Sequence, residues 1–317
     1  MFIGNIIDYY ESDMEVMRMQ PYVSFCVPTN GIKEWVIPVL DSIYCTNADI
    51  EEFEVIITDN GNDKDFYETL LDYCKDKSNC IYKRTDAIQF LNQIEAFKMA
   101  SGKLIKFVNH RHTLVDGAVQ YLIEVSKKYS DLRPELYFMN GAIAGKSGEE
   151  VLNTFDEFVY GMQRFSSWSA GTAMWKEEFE KISDNKKYNR LFPHIDLIFN
   201  NKEASKYIID HTVLFKEIMI DDSKKGKYDL FYAFGVEYPA IILELYRQGE
   251  ISYKTFDKVK ESNLVLLAQL YYAYVLRKKE CSYDLSSFSE NIQCFYSKTE
   301  IWKMIIKIAI GKLKFWK

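Results

Sequence analysis

The sequence predicts an α/β protein built on a mostly parallel sheet, followed by a helical C-terminal region. Three observations predict it. Short apolar runs alternate with segments of helical period from residue 22 to 125. Each apolar run stops abruptly in polar or turn-forming residues, as strands do where they leave a buried sheet. Beyond about Asp222 the strand-like runs cease and heptad-like apolar spacing takes over.

The elements follow in order. Tyr22 to Val27 (Y-V-S-F-C-V) reads as the first strand, broken by Pro28-Thr29-Asn30-Gly31. Trp35 to Tyr44 reads as a helix with apolar residues at 36, 39, 40 and 43, and Pro38 is expected in its first turn, where a missing N–H costs little. Phe53 to Thr58 is a second strand, stopped by D-N-G-N-D at 59–63, and Phe66 to Lys75 a second helix. Ile81-Tyr82-Lys83 is a short third strand, Ala87 to Ala100 a helix, and Leu104 to Val108 a fourth strand interrupted by Lys106. A helix carrying Val119, Leu122, Ile123 and Val125 follows. Parallel strands joined this way require right-handed crossovers. From Leu136 the pattern changes: Leu136 to Asn140 and Ala142 to Ala144 read as strands, Phe155 to Phe165 as a helix, and 166–171 (S-S-W-S-A-G) as a loop. Lys176 to Ile182 and a segment from Pro193 read as helices, and Lys206 to Ile209 and Thr212 to Phe215 as edge strands. Tyr238 to Arg247, Ser252 to Lys258 and Asn263 to Arg277 read as helices. The expected division is an extension over 1–20, an α/β domain over 21–220 and a helical region over 221–317.

Composition excludes several classes. An apolar fraction of 48% excludes a disordered chain. A net charge of −6 makes nucleic acid an unexpected partner. The six cysteines (Cys26, Cys45, Cys74, Cys80, Cys281, Cys294) show no C-x-x-C spacing, which points to reduced thiols in a cytoplasmic protein and away from a cysteine zinc site. No secretory signal and no membrane-spanning run is expected.

Chemistry is expected where the strands end. The first ends in V-P-T-N, the second in T-D-N-G-N-D, the fourth in F-V-N-H-R-H, all on one edge of a parallel sheet, where α/β proteins bind ligands. Asp59 can accept hydrogen bonds from a base N–H or a ribose hydroxyl, or it can serve only as a turn former.

These stretches resemble the family 2 glycosyltransferases, which have the GT-A fold. The resemblance rests on V-S-F-C-V-P-T-N, D-S-I, F-E-V-I-I-T-D-N-G-N-D, the helix from Asn92 to Ala100, S-G-K-L-I-K-F-V and L-V-D-G-A, and covers roughly residues 21 to 215. It implies that Pro28, Thr29, Asn30, Asp59 and Asn60 hold a nucleotide, with Arg84 near it, and that the donor is a nucleotide-sugar, a UDP-sugar first. The family ends its fourth strand in D-x-D, whose carboxylates hold a divalent cation against the diphosphate. This chain has Asn109, His110, Arg111 and His112 instead. Three readings are open. Arg111 supplies the positive charge, with Asn109 and His110 beside the nucleotide. Alternatively His110 or His112 helps bind Mn²⁺, an oxygen-preferring Mg²⁺ being less suited. The third is a dead site. Strand alternation would place His110 and His112 on one face and Asn109 and Arg111 on the other.

By the same resemblance Asp196, in F-P-H-I-D, takes the place of the base that deprotonates the acceptor in an inverting reaction, with His194 its competitor. Trp168 stands where an acceptor sugar would stack, or it is a core tryptophan. The stretch from Ile301 to Lys317 reads as a basic amphipathic helix suited to an anionic membrane surface. Together these imply a transferase of bacterial surface-polysaccharide synthesis, capsule included, acting on a glycan or lipid-linked acceptor from the inner face of the plasma membrane. The helices after Tyr238 offer a dimer surface. The competing reading is a non-catalytic module that binds a sugar nucleotide or a partner transferase as a scaffold.

Overall fold

In the computed structural model, residues 19–219 and 226–311 are described. Strands β1 (Val23–Thr29), β2 (Phe53–Asp59), β3 (Cys80–Arg84) and β4 (Leu104–Phe107) alternate with helices α1 (Lys33–Tyr44), α2 (Lys64–Cys74) and α3 (Asn92–Met99). After β4 come a short β5 (His112–Leu114), α4 (Ala118–Tyr129), β6 (Glu135–Phe138), β7 (Glu149–Leu152), α5 (Phe155–Met162) and β8 (Ala173–Trp175). The main sheet has the order β3-β2-β1-β4-β8, parallel except for β8.

Two apolar layers explain why the inner strands are continuous hydrophobic runs. Val23, Phe25 and Val27 of β1 pack with Val36, Val39 and Leu40 of α1 and with Leu122 of α4. The alternate residue Cys26 packs with Ile56, Ile105 and with Ile94 and Phe97 of α3. With both faces covered, each strand buries apolar side chains on both sides, each contributing about 1.5–3 kcal/mol. β1 turns outward to β2 on one side, while β4 lies on its other side, so the strand order reverses between β1 and β4. A crevice at that reversal is where such sheets bind ligands.

A second sheet, β6-β9-β7, contains β9 (Tyr207–Asp210), and β10 (Phe215–Glu217) pairs antiparallel with β5. Helices α6 (Lys176–Glu180) and α7 (Pro193–Ile198) lie between β8 and β9 in the chain. The C-terminal part begins with α8 (Leu230–Tyr232), which runs through a π-helical turn into α9 (Tyr238–Arg247). It continues with α10 (Tyr253–Leu270), α11 (Phe288–Asn291) and α12 (Lys298–Ala309). Tyr238, Ile242 and Val259 share one apolar cluster with Phe158 and Tyr207, so these helices pack on the second sheet.

Several expectations are corrected. Helix α1 begins at Lys33, two residues early, which puts Pro38 inside the helix beyond its first turn. The third helix begins at Asn92, because Gln89 takes a φ of 48° in a short 3₁₀ turn before it. Residues 142–144 form no strand: Asn140 and Gly141 both take positive φ (50° and 68°) and turn the chain, and β7 joins the sheet instead. β9 is the central strand of its sheet, not an edge. The helices expected at 252–258 and from 263 are one helix, α10, opened by the Ser252 cap, whose Oγ accepts from Thr255 N. A capping box between Ser297 and Glu300 starts α12, and Ile301, Ile305 and Ile308 of that helix are buried against the C-terminal cluster. Its other face exposes Trp302, Ile306 and Ile310 beside Lys303 and Lys307. Residues 1–18 of the extension expected over 1–20, and the basic tail from Lys312, lie outside the described residues. Among the described residues no helix is long and apolar enough to cross a membrane.

Candidate functional site

A cleft of about 1780 Å³ opens at the carboxyl edge of the main sheet, between β1 and β4, and runs toward the C-terminal helices. Pro28, Thr29, Asn30, Asn60, Asn109, His110, Arg111, His112, Trp168 and His194 line it. The register explains part of this convergence: Thr29, Asp59 and Arg84 stand in one row across β1, β2 and β3.

Asp59 and Arg84 are not among the lining residues. The Asp59 carboxylate is fully buried; it accepts from Gly61 N at 2.7 Å and from the Tyr82 hydroxyl at 2.9 Å. Arg84 donates to the Gly61 carbonyl at 2.8 Å. Both therefore shape the Asn60-Gly61 loop, and it is Asn60 that reaches the cleft. Gly61 is required there: a Cβ would stand 2.4 Å from the Asn30 carbonyl oxygen. Asn92, which sequence reasoning passed over, fastens the strand ends. Its Nδ2 donates to Thr29 O at 3.1 Å and Thr58 O at 2.8 Å, and its Oδ1 accepts from Thr85 at 2.7 Å.

The segment after β4 does not stay extended. His112 N donates to Asn109 O at 2.9 Å, and Arg111 N to the Asn109 side chain at 3.0 Å, closing a tight turn. The expected division into two faces therefore fails, and all four residues line the cleft. His110 Nδ1 pairs with Thr29 Oγ1 at 3.0 Å, joining the ends of β4 and β1. Burial, reinforced by Arg111 and His112, pushes the His110 pKa down to about 3, so the ring is neutral at physiological pH. The Arg111 guanidinium lies 5.4 Å over the Trp35 ring and 3.5 Å from Glu217, itself a residue the sequence reading missed. His112 stacks on Phe215 with ring centroids 4.9 Å apart.

Among the described residues the donor set does not fit a hard divalent cation. Glu217 is the one carboxylate among the described lining residues, and it faces Arg111. Among the described residues no group of three or more His, Cys, Asp or Glu side chains converges on a metal position. Arg111, Arg164, Lys216 and Lys227 instead make the described part of the lining predominantly cationic, which suits an anionic ligand.

At the other wall, Pro193 opens α7 and sets His194 facing the cleft. His194 is buried, and its Nε2 has no hydrogen-bond partner. Burial pushes its pKa down to about 4, partly opposed by bonds to the Ser166 and Ser167 backbone. It is thus a neutral imidazole in the cleft wall, with an unpartnered Nε2 that is itself buried from solvent. Asp196 is not among the lining residues: its carboxylate accepts from Asn189 N at 2.5 Å, and burial raises its pKa.

Trp168 lines the cleft and also packs against Phe215, 5.3 Å between centroids, so it is partly a core residue. Its loop is anchored from below. The buried Lys106 ammonium donates to the carbonyls of Ala170 (2.6 Å), Phe107 (2.8 Å) and Thr172 (3.2 Å), and the Tyr137 hydroxyl to Trp168 O at 2.7 Å. The lysine interrupting an apolar strand was the signal for this anchor. At Gly171 a Cβ would meet the Tyr137 ring at 2.3 Å, so the loop closes over that ring only with glycine.

No family model matches this sequence, and no curated protein matches it. Solved structures do match in shape. The chain is similar to S. aureus TarS 1–349 in complex with UDP, at 11% identity and a TM-score of 0.51 over 88% of this chain and 76% of that one. It is similar also to TarS 1–349 in complex with UDP-GlcNAc, at 12% identity and a TM-score of 0.50 over 90% of this chain and 78% of that one. The fold is thus the expected GT-A type, with the C-terminal helices appended.

Proposed function

We propose that this chain is a glycosyltransferase that moves a sugar from a nucleoside-diphosphate donor, a UDP-sugar first, to a glycan or lipid-linked acceptor in bacterial surface-polysaccharide synthesis. The observation that carries the reading is Arg111, seated on Trp35 at the carboxyl end of β4 in a cationic cleft where the strand order reverses. A planar guanidinium there suits the paired oxygens of a diphosphate and takes over charge neutralisation that related sites assign to a cation. Thr29, Asn30 and Asn60 would meet the nucleoside, on a loop held by Asp59, Arg84 and Asn92. The existence of a TarS structure with UDP, on the same fold, supports the choice of nucleotide.

Inversion requires a base opposite the leaving group. His194 is the better supported of the two candidates: it is neutral at physiological pH, its Nε2 is unengaged, and it lines the cleft, whereas Asp196 is committed to Asn189. Trp168 supplies a flat apolar face for an acceptor sugar. The end of α12, with Ile308, Ala309 and Gly311, forms one rim of the cleft, and the same helix exposes Trp302 and Ile306 among lysines. That arrangement favours an acceptor presented at an anionic membrane surface.

The test is calorimetric binding of UDP, GDP, CDP and TDP, each in EDTA and in Mn²⁺, followed by release of the nucleotide from matching donor sugars. Metal-independent binding of one nucleotide with turnover of its sugar is expected. Absence of binding to all four in either condition would refute the assignment.

A further inference from the structure

We propose that Cys74 and Cys80, remote in function from the cleft, form a reversible dithiol–disulfide pair. Cys74 ends α2 and Cys80 begins β3. Two successive turns bring them together: Lys77 N donates to Cys74 O at 3.0 Å, and Cys80 N to Lys77 O at 3.0 Å. Both are free thiols, only partly buried, with their sulfurs in contact at 2.7 Å. A separation of five intervening residues hides this pairing from any C-x-x-C search.

The Lys77 ammonium lies 3.9 Å over the Tyr73 ring and 5.4 Å over the Tyr44 ring, beside the pair. A cation beside two touching thiols favours a thiolate on one of them, and either sulfur can donate to the other. Whichever thiol ionises attacks, and its neighbour resolves. With a low-molecular-weight disulfide as oxidant, that thiolate attacks one sulfur, forming a mixed disulfide and expelling one thiolate. The neighbouring thiol then loses its proton and attacks the first cysteine's sulfur, expelling the second. Two protein thiols are oxidised and one small disulfide is reduced to two thiols. The crosslink would fasten the foot of β3, the strand whose far end carries Tyr82 and Arg84 to the Asp59–Gly61 loop.

The folded full-length chain is incubated with oxidised glutathione, the remaining thiols are capped with maleimide, and intact mass and peptide maps are read. The expected product has lost two hydrogens, carries a Cys74–Cys80 crosslink and reverts with dithiothreitol. In Cys74→Ser and in Cys80→Ser the crosslink is absent and the remaining thiol of the pair carries a glutathione adduct. An unchanged wild-type mass or a crosslink mapped to another pair would overturn the proposal. The wild-type measurement stands alone if either variant fails to fold.

Discussion

Replacing Arg111 with alanine tests the central chemical claim. The Arg111 side chain is 19% exposed and lies against Trp35, so its contacts are less screened than those of a surface ion pair. A charge-assisted bond from such a group to a phosphate oxygen contributes about 1.5–3 kcal/mol. At 1.4 kcal/mol per factor of ten, Arg111→Ala should weaken nucleoside-diphosphate binding roughly 10- to 150-fold. Glu217 sets the sign of a control. It stands 3.5 Å from Arg111 with 49% of its side chain exposed, a pairing an arriving phosphate must displace. Glu217→Gln should therefore tighten binding by about 1.4- to 5-fold, an exposed pair contributing about 0.2–1 kcal/mol. Arg111→Lys should fall between wild type and alanine, because lysine keeps the charge without the fork. The assay is titration calorimetry in EDTA at fixed ionic strength. An unchanged dissociation constant in Arg111→Ala, or wild-type binding abolished by EDTA, would refute the idea that arginine replaces a cation.

The remaining predictions address catalysis, scaffold and pH. His194→Gln should lower transfer about 10²- to 10⁴-fold, the usual contribution of a general base, with nucleotide affinity retained in calorimetry, while Asp196→Asn should leave both near wild type. Equal activity of His194→Gln and wild type would remove histidine from the mechanism. Gly61→Ala should weaken nucleotide binding several-fold without unfolding, since its Cβ would force the Asn60 loop away from the Asn30 carbonyl; binding titrations check it. Lys106→Met strips donors from three buried carbonyls and should cost about 2–5 kcal/mol in urea unfolding, with one to two of them left unpaired at about 1–3 kcal/mol each. The buried neutral His194 also sets a pH window. Its folded pKa of about 4 lies below the ordinary histidine value of about 6.5, so the unfolded chain binds the extra proton between them. Its contribution is present above pH about 6.5 and is lost as pH falls toward 4, up to about 3 kcal/mol, and His194→Gln should flatten that part of the stability profile.

What the sequence made legible follows from how each signal is encoded. β1, β2 and β4 could be read because both of their faces are buried, so apolar residues recur on both faces with few polar interruptions such as Ser24, Glu54 and Lys106. Short exposed pieces could not: β7 has the pattern of a charged loop, and β5 and β10 are three residues each, existing only because they pair with one another. The site divides the same way. Thr29, Asn60, His110 and Arg111 were legible because a strand end is a local event in the chain. Glu217, Trp35 and Asn92 were not, because each acquires its role from a partner on another element. Asp59 shows the limit from the other side. Its position was correctly read as the strand end, but whether a carboxylate faces ligand or loop depends on which donor reaches it, and here the Gly61 N–H and the Tyr82 O–H satisfy it. The N-H-R-H segment joins the two cases. Its four polar residues at a strand end were plain in the sequence, yet strand alternation misassigned their faces, because a turn closed by Asn109 replaced the extended chain. That turn is what brings a neutral histidine and an arginine into one cleft, with Thr29 holding the first and Trp35 the second. On the proposed reading, a cleft whose one described lining carboxylate is already paired with Arg111 can still take a phosphate, because its cation is carried by the chain itself.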